Sequence, residues 1–131
     1  MKTDLSSVLN KEQAAAASQI SGPLLIIAGA GSGKTRMITY RIAHMLEEGI
    51  DERNILALTF TNKAAKEMRD RIQAQVGRTL KDLTASTFHS FGLGLLKQYI
   101  QHIGYHNDFT IYDTNDNEAL IKNCIVACGY Q

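Results

Sequence analysis

The chain has 131 residues, which suits one domain and is long enough to bury a core. Apolar residues make up 44% and charged residues 21%, an ordinary balance for a globular protein. The formal net charge of +1 excludes a basic field spread over the whole chain, so any nucleic-acid site must be local.

The first seven residues contain no apolar core of a secretory signal. No apolar run approaches the ~20 residues of a transmembrane helix. A cytoplasmic protein without membrane attachment is therefore expected. The first predicted element is a helix over residues 10–18. Asn10 suits its N-cap, and Gln13 falls where a capping box needs a reciprocal side chain. The alternative role for Gln13 is base reading, since one amide both donates and accepts. Local sequence favours the cap.

Ser21-Gly22-Pro23 reads as a turn. Leu24 to Ile27 then reads as a short buried strand. The next residues, Ala28, Gly29, Ala30, Gly31, Ser32, Gly33, Lys34 and Thr35, form a glycine-rich loop with Lys-Thr at its end. A helical pattern follows through Ile38, Ile42, Met45 and Leu46 to Gly49. Strand, glycine loop with Lys-Thr, and helix together make a phosphate-binding loop in its usual context. Glycines let the backbone approach phosphate closely, and the amides and dipole of the following helix add donors and positive potential. Lys34 would reach the β and γ phosphates, and the Thr35 hydroxyl would hold Mg²⁺. One departure is Ala28, where the strict pattern has glycine.

Asp51-Glu52 resembles the start of an acidic Asp-Glu-x-x motif, but the pair follows a helix end and precedes a strand, so it reads as a loop. Residues 54–60 form a second apolar strand. A helix follows, with Asn62 as the expected N-cap, an apolar stripe of Ala65, Met68, Ile72 and Val76, and Gly77 at its close. Residues 83–87 read as a third strand, and residues 88–103 as a helix ended by Gly104. Thr110 to Tyr112 reads as a short strand or extended link. Asp113 or Thr114 would cap a last helix with Ile121, Cys124, Ile125 and Cys128 on its apolar side. That spacing points to two buried helical cysteines in a reducing compartment rather than a disulfide.

The order β-loop-α-β-α-β-α implies an α/β fold with a parallel sheet and right-handed crossovers. Ligands of such sheets bind at the carboxyl ends of the strands. Three segments fall there: the glycine loop, Phe60-Thr61-Asn62, and Ser86-Thr87-Phe88-His89. The last two carry hydroxyls, an amide, an imidazole and two rings. That mixture suits a single-stranded nucleic acid, with hydroxyls and helix N-termini on phosphates and rings under bases. On spacing alone, Phe60 and Phe88 fit ordinary core packing equally well, and an isolated histidine such as His89 is more often a structural hydrogen-bonder.

Taken together, Leu-Asn-Lys-Glu-Gln, Ala-Gly-Ala-Gly-Ser-Gly-Lys-Thr-Arg, Leu-Thr-Phe-Thr-Asn-Lys-Ala-Ala-Lys-Glu-Met and Ser-Thr-Phe-His-Ser-Phe-Gly resemble the N-terminal end of superfamily 1 DNA helicases of the UvrD/PcrA/Rep type. The resemblance covers about the whole chain and is strongest over residues 9–92. It accommodates Ala28, because this family's loop often starts with alanine. It implies a P-loop NTPase (RecA-like) parallel sheet flanked by helices, with residues 1–108 the N-terminal part of the first RecA-like domain and residues 109–131 the truncated start of a helical insertion. It implies ATP and Mg²⁺ as cofactors, with Gln13 at the adenine, residues 28–35 at the phosphates, Thr35 at Mg²⁺ and Arg36 near the base. It implies single-stranded DNA as partner, contacted by Phe60, Thr61 and Asn62 and by Thr87, Phe88 and His89. The implied activity is ATP-driven 3′-to-5′ movement along one strand, with participation of the remaining domains of a longer helicase.

The family's acidic Asp-Glu-x-x segment and its second RecA-like domain with an arginine finger are not in this sequence. Phosphoryl transfer depends on such charge stabilisation. Weak nucleotide binding and poor hydrolysis are therefore expected of the chain alone. Two other readings use the same loop: a small nucleotide kinase, disfavoured because residues 78–131 hold only Arg78 for an arginine-bearing lid, and a nucleotide-binding module without turnover.

Overall fold

The computed structural model describes residues 3–130. The chain divides into two compact units, one ending at Phe91 and one beginning at Gly92.

The first unit opens with two short helices. Asp4 caps α1 (Leu5–Val8) through the Ser6 amide. Asn10 caps α2 (Lys11–Ser18), and the expected capping box is complete, with both Asn10 and Gln13 bonding back. Residues 34–47 form α3 (Lys34–Glu47), whose apolar residues bury Met37, Ile42 and Ala43. Gly49 follows at φ +89°, a conformation glycine adopts without strain, and the amide of Ile50 bonds back to the Met45 carbonyl. A 3-10 turn over Glu52–Asn54 leads into β1 (Leu56–Thr59). Then come α4 (Asn62–Val76), closed by Gly77 at φ +68°, and β2 (Thr84–Thr87), which runs directly into α5 (Phe88–Tyr99).

β1 and β2 pair in parallel, with Leu56 opposite Thr84 and Thr59 opposite Thr87. The main core joins Ile42 of α3, Ile55 and Ala57, Met68 and Ile72 of α4, Leu80, Leu83 and Ala85. A smaller cluster of Leu9, Ala17 and Met37 fixes the N-terminal helices to α3. Arg41 reinforces it by donating to the carbonyl of Ala16. The fold is thus α/β with a small parallel sheet, and the strand–helix alternation after α3 matches expectation.

Three expectations need correction. Leu24–Ile27 is not a strand. It carries no regular secondary structure, no strand pairs with it among the described residues, and Leu25 and Ile27 are 84% and 92% exposed. A cleft of about 580 Å³ separates its Leu24 and Ile26 from Leu56 and Leu58 of β1. A ladder needs its neighbour within about 4.8 Å, so neither edge can satisfy the other. Second, Thr61 rather than Asn62 is the cap of α4, its hydroxyl accepting from the Ala64 amide, and Asn62 is the first helical residue. Third, Cys124 and Cys128 are exposed.

That third correction belongs to the second unit. It holds the rest of α5, a 3-10 turn over Ile100–Ile103 ended by Gly104 at φ +85°, and α6 (Thr114–Ala127). Thr110 to Tyr112 carries no regular secondary structure and is a link, not a strand. Asp113 caps α6 in a box with Asp116. Every residue of α6 is exposed, including Ile121 and Ile125 on the expected apolar side. A stripe buries only when another element lies on it.

Candidate functional site

The glycine loop folds back on its own ammonium group. Lys34, the first residue of α3, extends its side chain toward the start of the loop, and Nζ donates to the carbonyls of Ala28 at 3.0 Å and Gly29 at 2.6 Å. The Gly29 carbonyl also accepts from the Ser32 hydroxyl at 2.8 Å. Gly31 and Gly33 lie at φ +73° and +85°, where a side chain would be strained. No non-glycine residue among those described has positive φ, so Ala28 fits without strain and contributes its carbonyl. Thr35 is exposed at the N-terminus of the helix. The loop therefore gathers backbone donors, a helix N-terminus, one ammonium and one hydroxyl around an open space, the chemistry a polyphosphate requires.

Gln13 reaches this loop from α2. Its Oε1 accepts from the Asn10 amide at 3.3 Å and its Nε2 donates to the Ser32 carbonyl at 2.8 Å. It is both a cap and a strut on the loop. Beside it lies a cleft of about 260 Å³, lined by Asn10, Gln13, Ile27, Ala28, Lys34 and Met37 among others. Arg36 points away from the loop. Its Nη2 donates to the Val8 carbonyl at 2.8 Å, and its guanidinium lies 5.8 Å from the Tyr40 ring centre, which binds α3 to the end of α1.

The carboxyl ends of β1 and β2 carry the second set of candidate residues. Phe60 and Phe88 are 93% and 56% exposed, so they are not core residues. Their ring centres lie 6.1 Å apart with planes tilted by 48°. The Thr87 hydroxyl is buried and accepts from the Ser90 amide, capping α5. Thr61 caps α4, Asn62 is exposed at its first turn, and His89 is exposed. The structure thus gathers Phe60, Thr61, Asn62, Thr87, Phe88 and His89 at one sheet edge. Sequence reasoning missed Ser90, which bonds to Thr87 and lies 3.5 Å from Asn62 Oδ1. The signal was available: a hydroxyl three residues after a strand-ending threonine sits where a cap would bind it.

Asp51 and Glu52 stand outside both sets. Asp51 caps the 3-10 turn, and its bonds to Arg53 side chain and amide lower its pKa to about 2. For Glu52, partial burial acts upward, but the Asp82 amide and the Arg78 guanidinium outweigh it and leave the carboxyl below its usual range. The pair lies at the 3-10 turn between α3 and β1, outside any strand, as expected of a loop pair. Among the described residues no group of three or more His, Cys, Asp or Glu gathers as a metal site, and no helix is long and apolar enough to cross a membrane.

Residues 9–128 match the sequence model of the UvrD/REP helicase N-terminal domain. The chain is 47% identical over 118 residues to the ATP-dependent DNA helicase PcrA of Staphylococcus aureus. It is 48% identical over 118 residues to the protein of the same name from Staphylococcus epidermidis. Each match covers 89% of this chain and 16% of the relative, so the chain spans about a sixth of the length of these relatives.

Proposed function

Since the chain belongs to the UvrD/REP helicase N-terminal domain family, we propose that it is the ATP-binding front portion of an ATP-dependent DNA helicase that moves 3′ to 5′ along single-stranded DNA. The observation that carries this is the Lys34 ammonium at the N-terminus of α3, resting on the Ala28 and Gly29 carbonyls with Gln13 braced on the same loop. ATP phosphates would draw Lys34 off those carbonyls, exchanging two neutral acceptors for charged ones. The cleft beside Gln13 would take the adenine, whose edge pairs with a donor and an acceptor on one amide. Arg36 would reach the base only by leaving the Val8 carbonyl. Mg²⁺ fits the Thr35 hydroxyl as one oxygen ligand, the rest coming from phosphates and water, and it would neutralise charge on the transferring phosphoryl group.

The exposed Phe60–Phe88 pair and the neighbouring hydroxyls, amide and imidazole support a single-strand surface. The fold reading is the N-terminal part of a first RecA-like domain over residues 1–108, with the start of a helical insertion over residues 109–131. In it, later strands of the same sheet in a full-length protein would fill the cleft between Leu24–Ile27 and β1. Titration of the chain with a fluorescent ATP analogue and Mg²⁺ tests the nucleotide site. Saturable binding that Lys34→Ala abolishes is expected. Equal binding by that variant, or no binding by the parent chain, would sink the reading.

A further inference from the structure

Three side chains from two separate corners of the sheet edge meet in a chain of hydrogen bonds. Thr87, the last residue of β2, accepts the Ser90 backbone amide at 3.1 Å and donates its own proton to Ser90 Oγ at 2.9 Å. Ser90 Oγ then donates to Oδ1 of Asn62, at the start of α4, at 3.5 Å. In this arrangement Thr87 gives its proton to Ser90 Oγ, and Ser90 gives its own to the Asn62 carbonyl oxygen. Asn62 therefore keeps both Nδ2 protons for a ligand.

We propose that Ser90 is a positioning residue of the single-strand surface: it locks the β1–α4 corner to the β2–α5 corner and turns the Asn62 amide so that its NH₂ group, not its carbonyl, faces the strand. This rests on reading that edge as the DNA-binding surface. An NH₂ group donates to phosphate oxygens and to base carbonyls, whereas a carbonyl would repel both. The lock also decides how bases meet the rings. A base inserted between two rings needs them parallel and about 7 Å apart, two stacking distances. Phe60 and Phe88 are tilted by 48° at 6.1 Å. As they stand, the two rings offer outer faces for stacking and no parallel slot between them.

Ser90→Ala is a clean probe. It retains the backbone amide that Thr87 caps, so α5 keeps its start, and it removes the two bonds of the Ser90 hydroxyl, to Thr87 and to Asn62. Binding of a short fluorescein-labelled oligothymidylate to the chain is expected to weaken about two- to tenfold, the worth of one hydrogen bond. Ser90→Thr keeps a hydroxyl and is expected to restore binding. Nuclear Overhauser contacts between the Phe60 and Phe88 rings, measured without DNA, should weaken in Ser90→Ala and return in Ser90→Thr. Unchanged affinity in Ser90→Ala overturns the proposal. If the parent chain binds no oligothymidylate, the DNA reading of this edge fails, and the ring contacts alone decide whether Ser90 locks the two corners; unchanged ring contacts then overturn the lock.

Discussion

Gly33 and Gly29 sit four residues apart in one loop, yet they meet different constraints. Gly33 lies at φ +85°, and a Cβ there would stand 2.9 Å from Gln13 Nε2. Gly29 has no positive φ, and an added Cβ would meet nothing within 4 Å. Left-handed backbone costs a side-chain-bearing residue about 1–2 kcal/mol. The same methyl would push Gln13 off the Ser32 carbonyl and loosen its strut on the loop. Gly33→Ala is therefore expected to lower the melting temperature by roughly 3–12 °C for a chain of this size. Gly29→Ala should leave stability near that of the parent, although its methyl would obstruct the close approach of phosphate. Thermal unfolding followed by circular dichroism separates the two, and equal melting temperatures would contradict the assignment.

At the scale of elements, the 3-10 turn before β1 is held by charge. Asp51 pairs with Arg53, while Glu52 accepts from Arg78 and from the Asp82 amide, tying the turn to the link between α4 and β2. Arg53 bonding brings Asp51 from the usual 3.8 to about 2. A carboxyl depressed in the folded state stabilises fully above its unfolded pKa and loses that contribution as pH falls through its folded one. Stability should therefore decline between about pH 4 and pH 2. Asp51→Asn keeps a capping side chain but no titrating charge, so its decline over that window should be shallower. Urea unfolding at several pH values would show it, and parallel pH profiles would remove Asp51 as a contributor. Which features were legible in the sequence follows the same division between local and distant causes. The Asn10–Gln13 box and the closures at Gly77 and Gly104 depend on a few adjacent residues, and they were readable; the local pattern narrows the cap of α6 to Asp113 or Thr114, and it is Asp113. So was the Lys34 loop, because strand-like, glycine-rich and helical stretches follow in order. The cap of α4 fell one residue early, since Thr61 and Asn62 can both cap. The spacing of Ile121, Cys124, Ile125 and Cys128 shows which side of α6 would bury but not whether anything covers it. The link from Ser90 to Asn62 joins residues 28 apart, which no local pattern records.

At the scale of the molecule, burial is concentrated and the sheet is open. Ile72 is fully buried between α4 and its neighbours in the main core, so Ile72→Ala should cost about 2–5 kcal/mol. A typical domain has only about 5–15 kcal/mol in total. Leu24–Ile27 stands at the other extreme. Its residues have strand-like composition, and the β1 edge lies across a 580 Å³ cleft, but a strand exists only through its ladder. Its amides lack backbone partners among the described residues. Protection against hydrogen exchange reports the cost of opening a bonded amide. The amides of Leu25, Ile26 and Ile27 should therefore exchange at near-random-coil rates, while those in the middle of α4, such as Met68 and Ile72, should be protected by orders of magnitude. Comparable protection in the two segments would mean that the 24–27 stretch pairs in solution, within one chain or between two. The concentration dependence of that protection would tell which, because pairing between chains strengthens with concentration and pairing within one chain does not.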